Sequence, residues 1–223
     1  MDRYFDEELN NLKQRLLNMC SFVEKMIEEA IEALKKRESS FIDKVFEKEE
    51  KVNLAQIEID SKALELIALR QPAASDLRFI ISVIKMNSDL ERMADLAVNI
   101  AERAKELLKE PPLKPLIDLP RMATLTQNML KNAIQSLLEK NSNLARKVCE
   151  NDDEVDNLNE QIFRELITYM LSDPKNINRA IKLILIGRYL ERIADLATNI
   201  AEDVYYILEG KDIRHHIEEK EKK

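Results

Sequence analysis

One twelve-residue segment occurs twice in the chain, and this repetition limits the possible folds more than any other feature. Residues 91–102 read ERMADLAVNIAE, and residues 191–202 read ERIADLATNIAE, 100 positions later. Over the windows 89–102 and 189–202, 11 of 14 positions are identical. Apolar residues recur in each copy at steps of three and four, which predicts an amphipathic helix. The chain is therefore expected to contain two similar halves, each built around one copy.

The remaining sequence is also typical of a helical protein. Only 2 glycines and 6 prolines occur among 223 residues, of which 45% are hydrophobic and 35% charged, a composition typical of helices. Four of the prolines lie within residues 109–120, and a helix interior does not tolerate them. We predict an all-α fold of two tandem antiparallel three-helix bundles. The predicted division is a first bundle at 1–110, a proline-rich linker at 111–120, a second bundle at 119–210 and a charged tail at 211–223.

Six helices are expected, three in each half, and the first carries a continuous apolar seam from Leu9 to Leu34 at steps of three and four. Ser39 and Ser40 are candidate caps of the second helix, and either Ser75 or Asp76 is expected to cap the third after the break at Pro72. Gly210 supplies a stop for the last helix. The expected helices span residues 5–37, 40–69 and a third segment ending at 108, then 119–140, 142–171 and 176–208.

Several classes of function are disfavoured by the sequence. The net charge of −7, without a long basic run, argues against nucleic acid as the main partner. No stretch approaches the length of about 18 apolar residues that a membrane span needs, and the acidic N-terminus does not resemble a signal peptide. Cys20 and Cys149 lack metal-binding spacing and are expected to be small core residues in a reducing compartment. His215 and His216, the two histidines, are expected in an exposed tail.

The repeated helix places like charges one turn apart. Glu91 and Asp95 lie four positions apart, with Asn99 four further on, and Glu191, Asp195 and Asn199 repeat the pattern. At roughly 100° per residue, these acids fall beside a core seam of small residues. One interpretation is a solvated face on which Arg92 pairs with Asp95 and Arg192 with Asp195. The other is a cation site, for which oxygen ligands at one-turn spacing are suitable.

A second set of oxygen ligands lies on the preceding helix of each half. Glu49 and Asn53 are four positions apart, as are Asp152 and Asp156. If the second and third helices run antiparallel, these residues meet the later turns of the third helix, as in bundles that hold multinuclear metal centres. The Glu-x-x-His pattern of ferritin-like sites is missing. The residues alone leave open oxygen-only sites for Mg, Ca, Mn or Fe beside the salt-bridged face.

These motifs carry a family resemblance. The doubled ERxADxxxNIAE helices, the turn RQPAASDLR at 70–78 and the segment GKDIRH at 210–215 resemble the PhoU family across essentially the whole chain. The resemblance implies a non-enzymatic, cytoplasmic and commonly dimeric regulator that represses phosphate-starvation signalling when phosphate is plentiful. It implies contact with the phosphate ABC transporter and a membrane sensor histidine kinase, hence only peripheral membrane association.

The resemblance also implies iron clusters or other cations at E/D-x-x-x-D motifs. These map onto Glu91 and Asp95, Glu191 and Asp195, and Asp152 and Asp156. The pair formed by Glu49 and Asn53 ends in a neutral residue, so this half-site is expected to be weaker or to use Glu50. Two alternatives stay open on the sequence: an oxidase or hydrolase with a carboxylate-bridged metal centre, and a metal-free structural scaffold.

Overall fold

The computed structural model of the chain describes residues 3–213, and within them the protein is helical, with seven α-helices and one 3₁₀ turn. No helix within this range is both long and apolar enough to cross a membrane. The predictions for His215 and His216 lie outside the described residues. The α-helices are α1 Arg3–Lys36, α2 Ser40–Arg70, α3 Ala74–Leu107, α4 Asp118–Glu139, α5 Ser142–Glu150, α6 Asp152–Ser172 and α7 Ile177–Glu209, and the 3₁₀ turn is Pro174–Asn176.

The first half forms a three-helix bundle of α1, α2 and α3, each of which packs on the other two. The predicted seam of α1 is buried from Leu12 to Leu34 at its steps of three and four. On α3 the small residues Ala94, Ala97 and Ala101 are completely buried, which permits close approach of neighbouring helices. The all-α prediction is confirmed, since burial of these periodic apolar faces is what stabilises long helices in water.

The second half repeats this bundle with one difference. A single helix over 142–171 was expected, but the chain breaks at Asn151 into α5 and α6. Asn is a poor helix former, and the acidic residues that follow it favour a new start because carboxylates stabilise a helix N-terminus. Both α5 and α6 pack on α4 and α7, so together they occupy the place of one second helix.

The two bundles join mainly through α3 and α7, which run antiparallel. Lys85 near the start of α3 pairs with Asp203 near the end of α7, Nζ to Oδ1, at 3.3 Å. Lys182 near the start of α7 pairs with Glu106 near the end of α3 at 3.6 Å. Both copies of the repeated segment therefore lie side by side at the centre of the molecule.

The helix ends follow the predicted breaks, but side chains cap them less than expected. α2 begins after Ser39, whose side chain makes no capping hydrogen bond. The expectation that Ser75 or Asp76 caps α3 is wrong, because the helix begins at Ala74 with Ala73 as its N-cap. Gln71, just before Pro72, adopts φ 47°. The chain therefore turns at Gln71, early enough for α3 to start at Ala74. Gly210 ends α7 with φ 68°, as predicted.

Arg37 anchors the segment between the bundles. It follows α1, and its Nη2 donates to the backbone oxygens of Leu107, Leu108 and Glu110 at 3.1, 2.9 and 2.5 Å. These are carbonyls at and beyond the end of α3, where the regular helical hydrogen bonds end, and that of Leu107 also accepts from the backbone N–H of Glu110 at 3.2 Å. One guanidinium thus caps α3 and fixes the start of the proline-rich segment.

Candidate functional site

The acids of the repeated helix lie at the edge of the buried seam. Glu91 and Glu191 are half-buried, and Asp95 and Asp195 are exposed one turn later. Leu90 and Leu190, immediately before the glutamates, are completely buried. The predicted position beside the core is therefore observed in both halves.

In the first bundle, the antiparallel packing of α2 and α3 brings their acids together. Burial raises the pKa of Glu49 above its usual range, and the nearby carboxylates of Asp95, Glu102 and Glu50 raise it further. Burial and Asp95 likewise raise the pKa of Glu91. Asn53 is exposed on α2. Glu102 was not among the predicted ligands, although a glutamate stands at this position in both copies of the repeat.

In the second bundle, the acids of α6 and α7 converge in the same way. The pKa of Asp152 is raised to about 6, first by burial and then by Asp195, Asp156, Asp153 and Glu191. Partial desolvation of the carboxylates and the charge of Asp156 also raise the pKa values of Glu191 and of Asp195, although the latter residue is exposed as a whole. Oδ1 of Asp152 is buried without a hydrogen-bond partner. Arg188 and Arg192 oppose these pKa shifts but do not cancel them, so the cluster of carboxylates is an electrostatic cost that a cation would relieve.

The two clusters differ in how their glutamates are held. Nδ2 of Asn159 donates to Oε2 of Glu191 at 2.6 Å. Gly187 leaves room for this side chain, because a Cβ there would lie 2.8 Å from Asn159 Oδ1. In the first bundle the equivalent of Gly187 is Asn87, whose Nδ2 donates to the backbone oxygen of Gln56 and to Oδ1 of Asp60. The hydrogen bond from Asn159 to Glu191 was not predicted from the sequence, although Gly187, a glycine within a helix, indicates a close contact at that position.

A groove lies between the two copies of the motif. It has a volume of about 470 Å³, and it is lined by Arg92, Asp95, Leu96, Asn99, Arg192, Asp195 and Leu196. Three pairs in this set are related by the offset of 100 residues, so the groove straddles the pseudo-two-fold axis of the duplication. It connects the exposed aspartates of both motifs across the junction of the bundles.

Arg92 belongs to the repeated segment but contacts an acid that lies before it. It forms an ion pair with Asp89, Nη1 to Oδ1 at 3.7 Å. Asp89 lies one turn before Arg92, whereas the predicted partner Asp95 lies one turn after it. Burial raises the pKa of Asp89 to about 6, with Arg92 and Lys85 opposing the shift and Asp203 adding to it. This arginine therefore compensates a buried acid at the junction between α3 and α7.

The donor chemistry of both clusters suits a hard cation, but no site is preformed. The oxygen ligands come from carboxylates and amides, as Mg, Ca and Mn prefer, and Asp152 Oδ1 has no competing partner. Within residues 3–213, however, no three acidic, histidine or cysteine side chains are close enough to hold one metal ion. Cation binding would therefore require side-chain rotations that gather the ligands.

The cysteines are structural, as predicted. Cys20 is buried, and Cys149 packs against the core; both thiols are free. Burial raises the pKa of Cys149 to about 12, with Glu202 adding to the shift, and burial also raises that of Cys20. Since the thiolate is the reactive form, neither residue has the character of a nucleophile.

Comparison with known proteins gives a consistent result. The PhoU domain family matches the chain twice, at residues 16–104 and 119–204. The phosphate-specific transport system accessory protein PhoU homolog of Aquifex aeolicus is 42% identical over 215 residues, covering 96% of this chain and 97% of that protein. The homolog of the same name in Deinococcus radiodurans is 38% identical, covering 94% and 99% respectively.

Solved structures agree in fold. The crystal structure of PhoU from Pseudomonas aeruginosa superposes with a TM-score of 0.90 at 37% identity, covering 93% of this chain and 100% of that one. The phosphate transport system regulatory protein PhoU from Streptococcus pneumoniae gives a TM-score of 0.84 at 28% identity, covering 93% and 98%.

Proposed function

The chain belongs to the PhoU family, the non-enzymatic accessory proteins of phosphate transport, and on this premise we propose that it represses phosphate-starvation signalling when phosphate is plentiful. It does so by contacting the ATPase of the phosphate ABC transporter and a membrane sensor histidine kinase. It acts in the cytoplasm as a homodimer, peripheral to the membrane complex. The observation that carries the proposal is the match of both halves to the family, together with relatives named for the phosphate-specific transport system.

We further propose that cations bind at the two acidic clusters. The ligands are Glu49, Asn53, Glu91 and Asp95 in the first bundle, and Asp152, Asp156, Glu191 and Asp195 in the second. Support comes from the raised pKa values of the acids and from the unpartnered Oδ1 of Asp152. A bound cation would favour ionised carboxylates and hold α2 to α3, and α6 to α7. Magnesium, manganese, calcium and iron, including an iron cluster, fit the donor chemistry.

Metal removal tests the cation proposal. The protein is dialysed against chelator, then titrated with Mg²⁺, Mn²⁺ or Fe²⁺ while the melting temperature and the bound metal are measured. A saturable rise in melting temperature with bound metal supports the sites, because a ligand that binds only the native state stabilises it. An equal rise in the variant Asp95→Asn/Asp195→Asn would contradict them. No rise in the wild type would leave the metal-free scaffold as the better description.

The regulatory role has a separate test. The purified transporter ATPase and the kinase's cytoplasmic region are each immobilised, and binding of the intact protein is measured with and without phosphate. Binding to either partner supports the role. Failure to bind both would contradict it, whatever the result of the metal titration.

A further inference from the structure

Helix α2 carries apolar residues on two opposite sides. On the inner side, Val52, Ile59 and Leu66 are at most 1% exposed and face α1 and α3, the helices on which α2 packs. On the outer side, Leu54, Ile57 and Leu64 are 64%, 63% and 62% exposed. An exposed apolar surface of this kind marks an interaction site more often than chance.

The spacing of the outer residues indicates the shape of what covers them. Leu54, Ile57, Ser61, Leu64 and Ala68 follow one another at steps of three, four, three and four residues. We call this set the α2 outer stripe. Such steps form a straight seam along one side of a helix, the arrangement by which two helices pack in a coiled coil. A single helix lying along α2 would cover the whole stripe.

The second bundle shows that the fold itself does not need apolar residues at the first positions of this stripe. With the offset of 103 residues that relates α2 to α6, Leu54, Ile57 and Ser61 correspond to Asn157, Glu160 and Arg164. These three residues are exposed, and Glu160 forms an ion pair with Arg164. Leu64 and Ala68 correspond to Ile167 and Leu171, which are also apolar. The counterparts of Leu54, Ile57 and Ser61 are therefore polar in the other half, which favours a role of these stripe positions that is specific to α2.

The charges beside the stripe distinguish between possible occupants. Glu58 and Glu65 are exposed along one flank, and Asp60 lies on the other. Arg15 and Lys62 contact Glu58 and Glu65 at 2.5 and 3.2 Å, but exposed ion pairs of this kind are weak and exchangeable. Asp60 already accepts a hydrogen bond from Asn87 of α3, so Glu58 and Glu65 are the acids available to a partner. A second copy of α2 that set its own Glu58 and Glu65 against these residues would bring like charges together. Basic residues at the flanking positions would instead be complementary.

We propose that the α2 outer stripe is a docking surface for an amphipathic helix of another protein, with an apolar seam flanked by Lys or Arg. The seam of the partner covers Leu54, Ile57 and Leu64, and its basic flanks replace Arg15 and Lys62 at Glu58 and Glu65. The proposal uses neither acidic cluster and no cation, so it stands or falls independently of the cation sites proposed above.

The test uses the full chain and two designed peptides. Both peptides have three heptads with Leu along the seam; one carries Lys at the flanking positions and the other carries Glu. Binding of each labelled peptide, at concentrations where it is monomeric, is followed by fluorescence anisotropy. The Lys peptide is expected to bind saturably, and the Glu peptide about tenfold or more weakly. The variant Ile57→Gln/Leu64→Gln is expected to weaken binding of the Lys peptide by about tenfold or more.

A matched variant on the other bundle controls for general attraction to an acidic protein. Phe163 and Leu171 of α6 are also exposed, at 46% and 81%, and Phe163→Gln/Leu171→Gln is expected to change the affinity by less than about twofold. Circular dichroism and melting curves verify that both variants are folded. The proposal would be overturned if the protein bound the two peptides with equal affinity. It would also be overturned if Ile57→Gln/Leu64→Gln and Phe163→Gln/Leu171→Gln lost affinity for the Lys peptide to the same extent. A wild-type dimer that Ile57→Gln/Leu64→Gln dissociates in sedimentation would overturn it as well, because the occupant would then be a second copy.

Discussion

Asn159 on α6 holds Glu191 on α7 through a hydrogen bond of 2.6 Å from Nδ2 to Oε2. Glu91, the counterpart of Glu191 in the first bundle, faces a different neighbourhood, because Asn87 is bonded to the backbone of Gln56 and to Asp60. The duplication has therefore kept the acids of the motif while changing what orients them. The second cluster has an oriented glutamate, and the first does not share that arrangement.

Loss of the Asn159 donor is expected to destabilise the second bundle. In Asn159→Ala, the half-buried carboxylate of Glu191 loses the hydrogen bond that stabilises its ionised form, so the pKa of Glu191 rises further. We expect a cost of about 1–2 kcal/mol at pH 7 in chelator, measured by urea unfolding, with the pKa followed by carboxyl NMR. Asn157→Ala is the control, since Asn157 is exposed and bonds only within α6 in the described contacts. An equal cost in the control would contradict this reading.

The raised pKa of Asp152 predicts a characteristic pH dependence. Its pKa is about 6 in the native protein against the ordinary 3.8, so between these values the native state holds a proton that the unfolded state releases. The contribution of Asp152 to the free energy of unfolding is therefore fully present below about pH 3.8, and it is lost as the pH rises through 6. After allowance for solvent screening, Asp152→Asn is expected to be more stable than wild type by about 1 kcal/mol at pH 7 in chelator.

The control for this prediction lies next in the chain. Asp153 is exposed in the same helical turn, and Asp153→Asn makes the same change in net charge. We expect it to alter stability by less than about 0.5 kcal/mol. The comparison is made by thermal unfolding of the wild type, Asp152→Asn and Asp153→Asn at pH 4 and pH 7. If Asp152→Asn gained as much stability at pH 4 as at pH 7, the assigned titration of Asp152 would be contradicted.

Arg37 is expected to contribute more to stability than its surface position suggests. The variant Arg37→Met keeps much of the aliphatic stem but leaves the carbonyls of Leu107, Leu108 and Glu110 without their shared donor. We expect a cost of about 2–3 kcal/mol in urea unfolding. Lys36→Met is the control, because Lys36 makes an exposed pair with Glu32 worth at most about 1 kcal/mol. Equal costs would mean that the linker contacts contribute little.

Local patterns in the sequence predicted the features that depend on neighbouring residues. The seams of α1 and α3, the stop at Gly210 and the meeting of Glu49 with Asp95 all follow from helical periodicity and short turns. The break at Asn151 was missed because the apolar period continues across it, so only the acidic residues after it favour a new helix. The bond from Asn159 to Glu191 joins different helices, and its existence depends on the space at Gly187. Such contacts are decided by packing, which periodicity does not encode.

The two glycines of the chain provide a final prediction, in which the same substitution to alanine has different effects at the two positions. In Gly187→Ala, the new Cβ meets only the end of the Asn159 side chain at 2.8 Å, and this amide can turn away. Alanine is favoured over glycine within a helix by about 1 kcal/mol, which offsets the lost bond to Glu191, so the melting temperature should change by less than about 4 °C. Gly210 has φ 68°, where Gly210→Ala costs about 1–2 kcal/mol and lowers the melting temperature. A large loss at Gly187 would show that Asn159 is fixed in place by its surroundings.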